Sequence, residues 1–124
     1  HKIWVRNGAD TIQLDVDDID WVGAEGEYVR LHVGRVSFLE RGALQEAAVA
    51  LQPHGFLRVH RSSIVNTQKI MAMRKGPWGR LSIELQSGEQ LAVGKKYRHE
   101  VAELTRRGLI SMASAEPSRE PRHP

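Results

Sequence analysis

Gly55-Phe56-Leu57-Arg58-Val59-His60-Arg61-Ser62-Ser63-Ile64-Val65-Asn66 threads three cationic or cation-capable side chains through an apolar frame. Leu57, Val59, Ile64 and Val65 can anchor the backbone in a core, which leaves Arg58, His60 and Arg61 to face something polar. A guanidinium is a rigid fork that matches phosphate oxygens or the acceptor edge of guanine, so an Arg held on an anchored backbone is placed for nucleic acid in a way that one on a loose tail is not.

Outward from this segment the apolar period is mostly two. Ile3 and Val5, then Thr11 to Leu14, flank Asn7-Gly8, a tight-turn pair, and predict a hairpin. Ile19 to Ala24 and Tyr28 to Val33 predict a second hairpin across Glu25-Gly26, and Gly34-Arg35 turns the chain into a strand at Val36 to Leu39. Leu44, Ala47, Ala48 and Leu51 recur at helical spacing, predicting a short amphipathic helix ended by Pro53 and Gly55. Lys69 to Met73 reads as a strand, Gly76 to Gly79 as a loop, Leu81, Ile83 and Leu85 as a further strand, and Ser87-Gly88 as the turn into Gln90 to Val93. A last helix from about Lys96 to Arg107 carries Tyr97, Val101 and Leu104 on one face, with Gly108 as its stop signal. The fold expected is mainly β with two short helices, a β-rich α+β domain of antiparallel hairpins. It has no βαβ repeat, which argues against a doubly wound nucleotide-binding fold. Residues 1–110 form the one domain, and the Pro-, Ser-, Glu- and Arg-rich tail 111–124 is expected to be disordered.

A chain of 124 residues buries roughly two-thirds of its unfolded surface, enough for a core without staples. There is no cysteine, hence no disulfide and no thiolate zinc site. No apolar run reaches the ~20 residues that span a bilayer, and no signal-peptide pattern opens the chain, so a cytoplasmic domain is the expectation. The net charge of +3 is unevenly spread: residues 1–55 hold five Lys/Arg against nine acids, whereas residues 56–107 hold eleven against four. The second half is the candidate polyanion face.

Catalytic and metal patterns fail on spacing. His54 and His60 lack the intervening Glu of a metalloprotease helix. Asp15, Asp17, Asp18 and Asp20 do not fit a calcium loop, whose fifth and twelfth positions would fall on Ile19 and Gly26. The bland reading is of acids on the solvated face of a turn before a strand. Val93-Gly94-Lys95-Lys96 lacks the upstream glycine of a phosphate loop. Ser62 and Ser63 near His60 lack both a strained elbow and a third group to orient the base, so no enzyme, metal or cofactor is expected.

Three clusters remain that a β-fold could bring to one side: the hairpin tip with Glu25, Glu27, Tyr28 and Arg30; the run Arg58-Val59-His60-Arg61-Ser62; and Lys95-Lys96-Tyr97-Arg98 at the start of the last helix, where cations and free amides favour a phosphate. The two acids of the first cluster repel phosphate, so that tip must read cytosine amino groups or avoid DNA. In the second, Arg61 is the best base reader, with Arg58, His60 and Ser62 as positioning groups.

The run Phe56, Arg58-Val59-His60-Arg61-Ser62, Val65-Asn66 and Ile70 resembles the signature of the LytTR family, the DNA-binding effector domains of many bacterial response regulators. The resemblance extends to Asp17-Asp18-Ile19 before Trp21, to Tyr28, to the helix around Leu44 and Leu51, and to Lys95-Lys96-Tyr97, covering residues 2 to 107. It implies sequence-specific binding of double-stranded DNA by loops entering successive major grooves, paired repeats bound by two copies, and an upstream sensory or receiver domain. Asn66 matches the motif too, but an Asn after a buried Ile-Val pair reads as a support for turn backbone. Many members have Asn where Glu27 stands and Ser-Arg where Gly94-Lys95 stands. A Lys cannot reproduce the bidentate grip of Arg, so the resemblance carries base contact over at the central cluster rather than at the first and third loops, and the operator is expected to differ. A basic module docking RNA or an acidic protein partner is the alternative; the few exposed aromatics expected, Trp78 and Tyr97, with Trp21 expected in the core, weigh against base stacking and so against RNA.

Overall fold

The computed structural model describes residues 1–108, so the tail expected to be disordered lies outside the described residues. Ten strands and two helices follow in the order β1 (Lys2–Asn7), β2 (Asp10–Asp15), β3 (Trp21–Glu25), β4 (Tyr28–Val33), β5 (Val36–Arg41), α1 (Leu44–Leu51), β6 (Phe56–His60), β7 (Ser63–Asn66), β8 (Ile70–Lys75), β9 (Leu81–Leu85), β10 (Gln90–Ala92) and α2 (Arg98–Gly108). Every strand pair is antiparallel. The expected mainly-β architecture with two short helices is the one found.

A five-stranded sheet, β5-β4-β3-β7-β6, forms the middle of the molecule. One face carries Val22, Val29, Leu31, Phe38, Phe56 and Ile64, which pack with Leu44 and Leu51 of α1 and with Val5 and Leu14 of the β1–β2 hairpin. The other face carries Val59, Val65, Trp21 and Leu57, which pack with Ile83, Leu85 and Leu91 of the three-stranded sheet β10-β9-β8 and with Val101 of α2. The sheet therefore lies between two cores. Strand β7 is buried at all four positions, with Ile64 in one core and Val65 in the other. An apolar pair of consecutive residues is the mark of such a strand, which period two does not detect.

Local chemistry explains the boundaries. The β1–β2 hairpin closes through Gly8 at φ 66°, with Asn7 paired to Asp10, as the Asn-Gly pair predicts. Helix α1 is buried through Leu44 and Leu51 and runs into a 3-10 turn that ends at Gly55, φ 88°, the left-handed geometry that favours glycine. Strand β3 starts at Trp21 rather than Ile19, because Val16–Asp18 form a 3-10 turn whose carbonyl at Val16 accepts the Ile19 N–H. The last helix starts at Arg98, two residues late, because Lys95–Tyr97 form their own 3-10 turn, and it includes Gly108.

The acidic segment corrects its bland reading in part. Asp17 and Asp18 are solvated, but Asp15 caps the turn by accepting the Asp17 N–H at 3.0 Å, which holds its carboxyl below the usual range. Asp20 is buried: its carboxylate accepts the Gly34 N–H at 2.9 Å and lies 3.8 Å from the Lys69 ammonium. Asn66, only 3% exposed, donates to the carbonyls of Ile19 and Asp17 at 2.9 and 3.3 Å and accepts the Gln68 N–H at 3.1 Å. It is the turn support expected of it, joining the start of β3 to the end of β7.

Candidate nucleic-acid interface

The β6–β7 turn is built by its own side chains. Strand β6 carries a register shift between Arg58 and His60, and the Arg58 guanidinium fills the irregularity: Nε donates to the His60 carbonyl at 2.9 Å and Nη2 to the Arg61 carbonyl at 2.6 Å. Its remaining nitrogen, Nη1, donates to Gln45 Oε1 of α1 at 3.0 Å, and the group sits 5.9 Å from the Tyr97 ring centre. Arg58 thus spends its donors inside the protein. The Ser62 N–H donates to His60 Nδ1 at 3.1 Å, with Ser62 Oγ 2.9 Å from the same nitrogen. An Nδ1 that accepts leaves the ring proton on Nε2, the nitrogen left over for a ligand.

Arg61 stands apart. Its carbonyl is clamped by Arg58, while its exposed side chain makes no hydrogen bond or ion pair among the described residues. A fixed backbone with an unspent guanidinium is what a base or phosphate reader requires.

The hairpin tip lies beside this turn, since β3 pairs with β7 up to Gly23 opposite Ser63 and the Ala24 N–H donates to the Ser62 carbonyl at 3.0 Å. Its two acids do not face solvent unpaired. Arg30 holds Glu25 with two bonds of 2.5 and 3.1 Å and donates to Ser37 Oγ at 2.9 Å; Arg41 holds Glu27 at 2.5 Å. The first pairing lowers the Glu25 carboxyl and raises the Arg30 guanidinium, each through the hydrogen bond between them. The repulsion expected of the acids is thereby reduced, but Arg30 is engaged at the same time. Tyr28 is 41% exposed, with the Arg41 guanidinium 5.6 Å from its ring centre.

The third segment joins the same end of the sheet. The Gly94 N–H donates to the Val59 carbonyl at 2.8 Å, and a Cβ on Gly94 would meet the Tyr97 ring at 3.3 Å and His60 at 3.7 Å. The space beside His60 is therefore glycine-sized. Lys95 and Lys96 are exposed on the turn that follows, while Tyr97 is half-buried between Lys96 (5.8 Å) and Arg58. Arg98 is half-buried, its Nε without a partner among the described residues. Backbone bonds thus bring all three segments that the sequence singled out to one end of the central sheet. Two participants were not legible: Gln45, whose contact with Arg58 spans 13 positions with no periodic signal, and Arg41, which neutralises Glu27 across a hairpin.

Comparison with known proteins gives the family and the fold. The family described as the LytTr DNA-binding domain matches residues 9–106. The chain is 33% identical over 113 residues to the CO-responsive transcriptional regulator RcoM of Rhodospirillum rubrum, covering 90% of this chain and 45% of that one. It is 27% identical over 106 residues to the sensory transduction protein LytT of Bacillus subtilis, covering 84% and 43%. The chain thus spans less than half the length of these relatives. A LytTr DNA-binding domain from Bacillus cereus shares the fold with a TM-score of 0.75 at 20% identity, over 84% of this chain and 95% of that one. With the family matched along most of its length and the fold shared, this chain belongs to the LytTr DNA-binding domain family.

Proposed function

We propose that the end of the central sheet formed by residues 25–28, 60–62 and 94–98 is the surface that meets double-stranded DNA. The observation that carries this reading is the backbone bonding of the three segments around Arg61, whose guanidinium is unspent among the described residues. Arg61 reads a base edge. Lys95 and Lys96 take phosphates, and the His60 Nε2–H is a further donor. Arg58 and Ser62 act indirectly, by fixing the turn. Tyr28, Tyr97, Arg30 and Arg98 border the surface, Arg30 with its charge already paired.

Loops entering successive major grooves, two copies on paired repeats, an upstream sensory or receiver domain and a cytoplasmic home complete the proposal. The names of the relatives, a sensory transduction protein and a CO-responsive regulator, support an input domain in a longer protein. No catalytic role is proposed. Selection from a random duplex library whose insert exceeds two helical turns tests the reading. Enrichment of a subset bound roughly a thousandfold more tightly than random duplex at physiological salt is expected. No enrichment after several rounds, or equal binding of single strands or polyglutamate, points instead to an electrostatic docking face.

A further inference from the structure

The β8–β9 loop contains the one non-glycine residue with positive φ among the described residues, Trp78 at φ 62° and ψ 24°. A bulky side chain in the left-handed region is strained, and strain of this kind persists where the surroundings impose it. Here they do: the Gly76 N–H donates to the Arg80 carbonyl at 2.8 Å, and the Arg80 N–H to the Pro77 carbonyl at 3.2 Å. The braced loop holds the indole 87% exposed, which the hydrophobic effect opposes unless something covers it. Lys75 and Arg80 flank it, both exposed. Arg74 is different, being paired with Glu84.

The register places this loop. Lys75 pairs with Leu81 at the base of the β8–β9 hairpin, the Val93 N–H donates to the Leu81 carbonyl at 2.9 Å, and the next residue, Gly94, bonds to Val59. These bonds tie Leu81 through Val93 and Gly94 to Val59, so the loop before Leu81 leaves β9 at the end of the small sheet where the chain enters the 94–98 turn.

Resting on the DNA reading above, we propose that Trp78, Lys75 and Arg80 form a fourth DNA contact, lying on the phosphodeoxyribose backbone of the duplex that flanks the base-reading turn. The indole packs on deoxyribose and its N–H donates to a phosphate oxygen, while Lys75 and Arg80 neutralise neighbouring phosphates. The contact carries no sequence information. It adds affinity on any duplex long enough to reach it.

Trp78→Asn keeps a residue that tolerates the left-handed region while removing the indole, and a thermal melt confirms folding. On a mixed-sequence duplex of about 30 base pairs, this variant is expected to bind roughly five- to tenfold more weakly than the parent, as truncation of a buried aromatic anchor does. In a Trp4→Phe background, saturation with the same duplex is expected to shield Trp78 from acrylamide. Arg61→Ala, measured in parallel on duplex enriched by selection, separates the two ideas. If Arg61→Ala weakens binding while Trp78→Asn binds like the parent and quenching is unchanged, the fourth contact is overturned and the DNA reading stands. A loss confined to single-stranded DNA also overturns it, in favour of base stacking. If the parent binds no duplex, the DNA reading fails and this contact with it.

Discussion

Arg58 and Arg61 are three positions apart and carry the same charge, yet the structure gives them opposite duties. One is consumed by two carbonyls and Gln45, while the other holds its guanidinium clear of every described partner. Arg61→Ala is therefore expected to cost about 1 to 3 kcal/mol on the preferred site and to flatten discrimination at one base pair, since a bidentate donor pair is lost. Competition against single-base variants measures it, and an equal loss on every variant would mark Arg61 as a phosphate contact. The sequence singled out Arg61, because an Arg within an apolar frame is legible. The interior use of Arg30 was not, because its partners Glu25 and Ser37 come together only when β3, β4 and β5 pair. Asn66 was legible for the reverse reason: a polar side chain at the end of a buried Ile-Val pair must satisfy backbone.

At the scale of elements, hairpins with glycine turns were read nearly to the residue, because Asn7-Gly8 and Glu25-Gly26 leave few alternatives. The start of α2 was not, since Lys95–Tyr97 have helix-compatible residues and only the Gly94 tie to β6 sets a 3-10 turn there. That turn presents Lys95 and Lys96 as exposed cations on a fixed support. Replacing both with Ala is expected to weaken specific and nonspecific binding alike and to reduce the slope of log affinity against log salt by about one to two units, because each neutralised phosphate releases condensed counterion. Titration across a salt series decides it; an unchanged slope with lost affinity would remove the lysines from the phosphate contacts.

The whole molecule is held by two cores on either side of one sheet, and His32 lies on β4 of that sheet, opposite Trp21 of β3. Its ring stacks on Trp21 at 4.1 Å with an interplanar angle of 3°. Burial lowers its pKa below the ordinary 6.5, with Arg30 adding to the lowering while Glu89, Glu25 and Asp20 oppose it. The unfolded chain then takes up this proton before the folded one as pH falls. The stability that neutral His32 contributes is complete above about pH 6.5 and is lost as pH drops toward its lowered folded value. The Tm of His32→Gln should depend less on pH than that of the parent between pH 7 and 5.5, a window that lies above the lowered carboxyls of Asp15 and Glu25. Parallel calorimetric scans giving equal slopes would refute the assignment. Composition could not reveal such a site, because nothing in a single sequence pairs His32 with Trp21 until β3 and β4 are in register. Charge segregation between the two halves, by contrast, was visible from counting alone.

The bonds that gather the segments proposed to face DNA are main-chain bonds: Ala24 N–H to Ser62 carbonyl, and Gly94 N–H to Val59 carbonyl. A main-chain bond is indifferent to which side chain its residue carries, so the scaffold and the reading code are separately mutable. On the DNA reading proposed above, exchange of the side chains at 27, 61 and 95 would change the operator without rebuilding the frame. Gly94 is the exception, because its missing side chain is itself part of the frame. Operator specificity in this domain should accordingly drift fast at solvent-facing turn positions and hardly at all at the glycine beside His60.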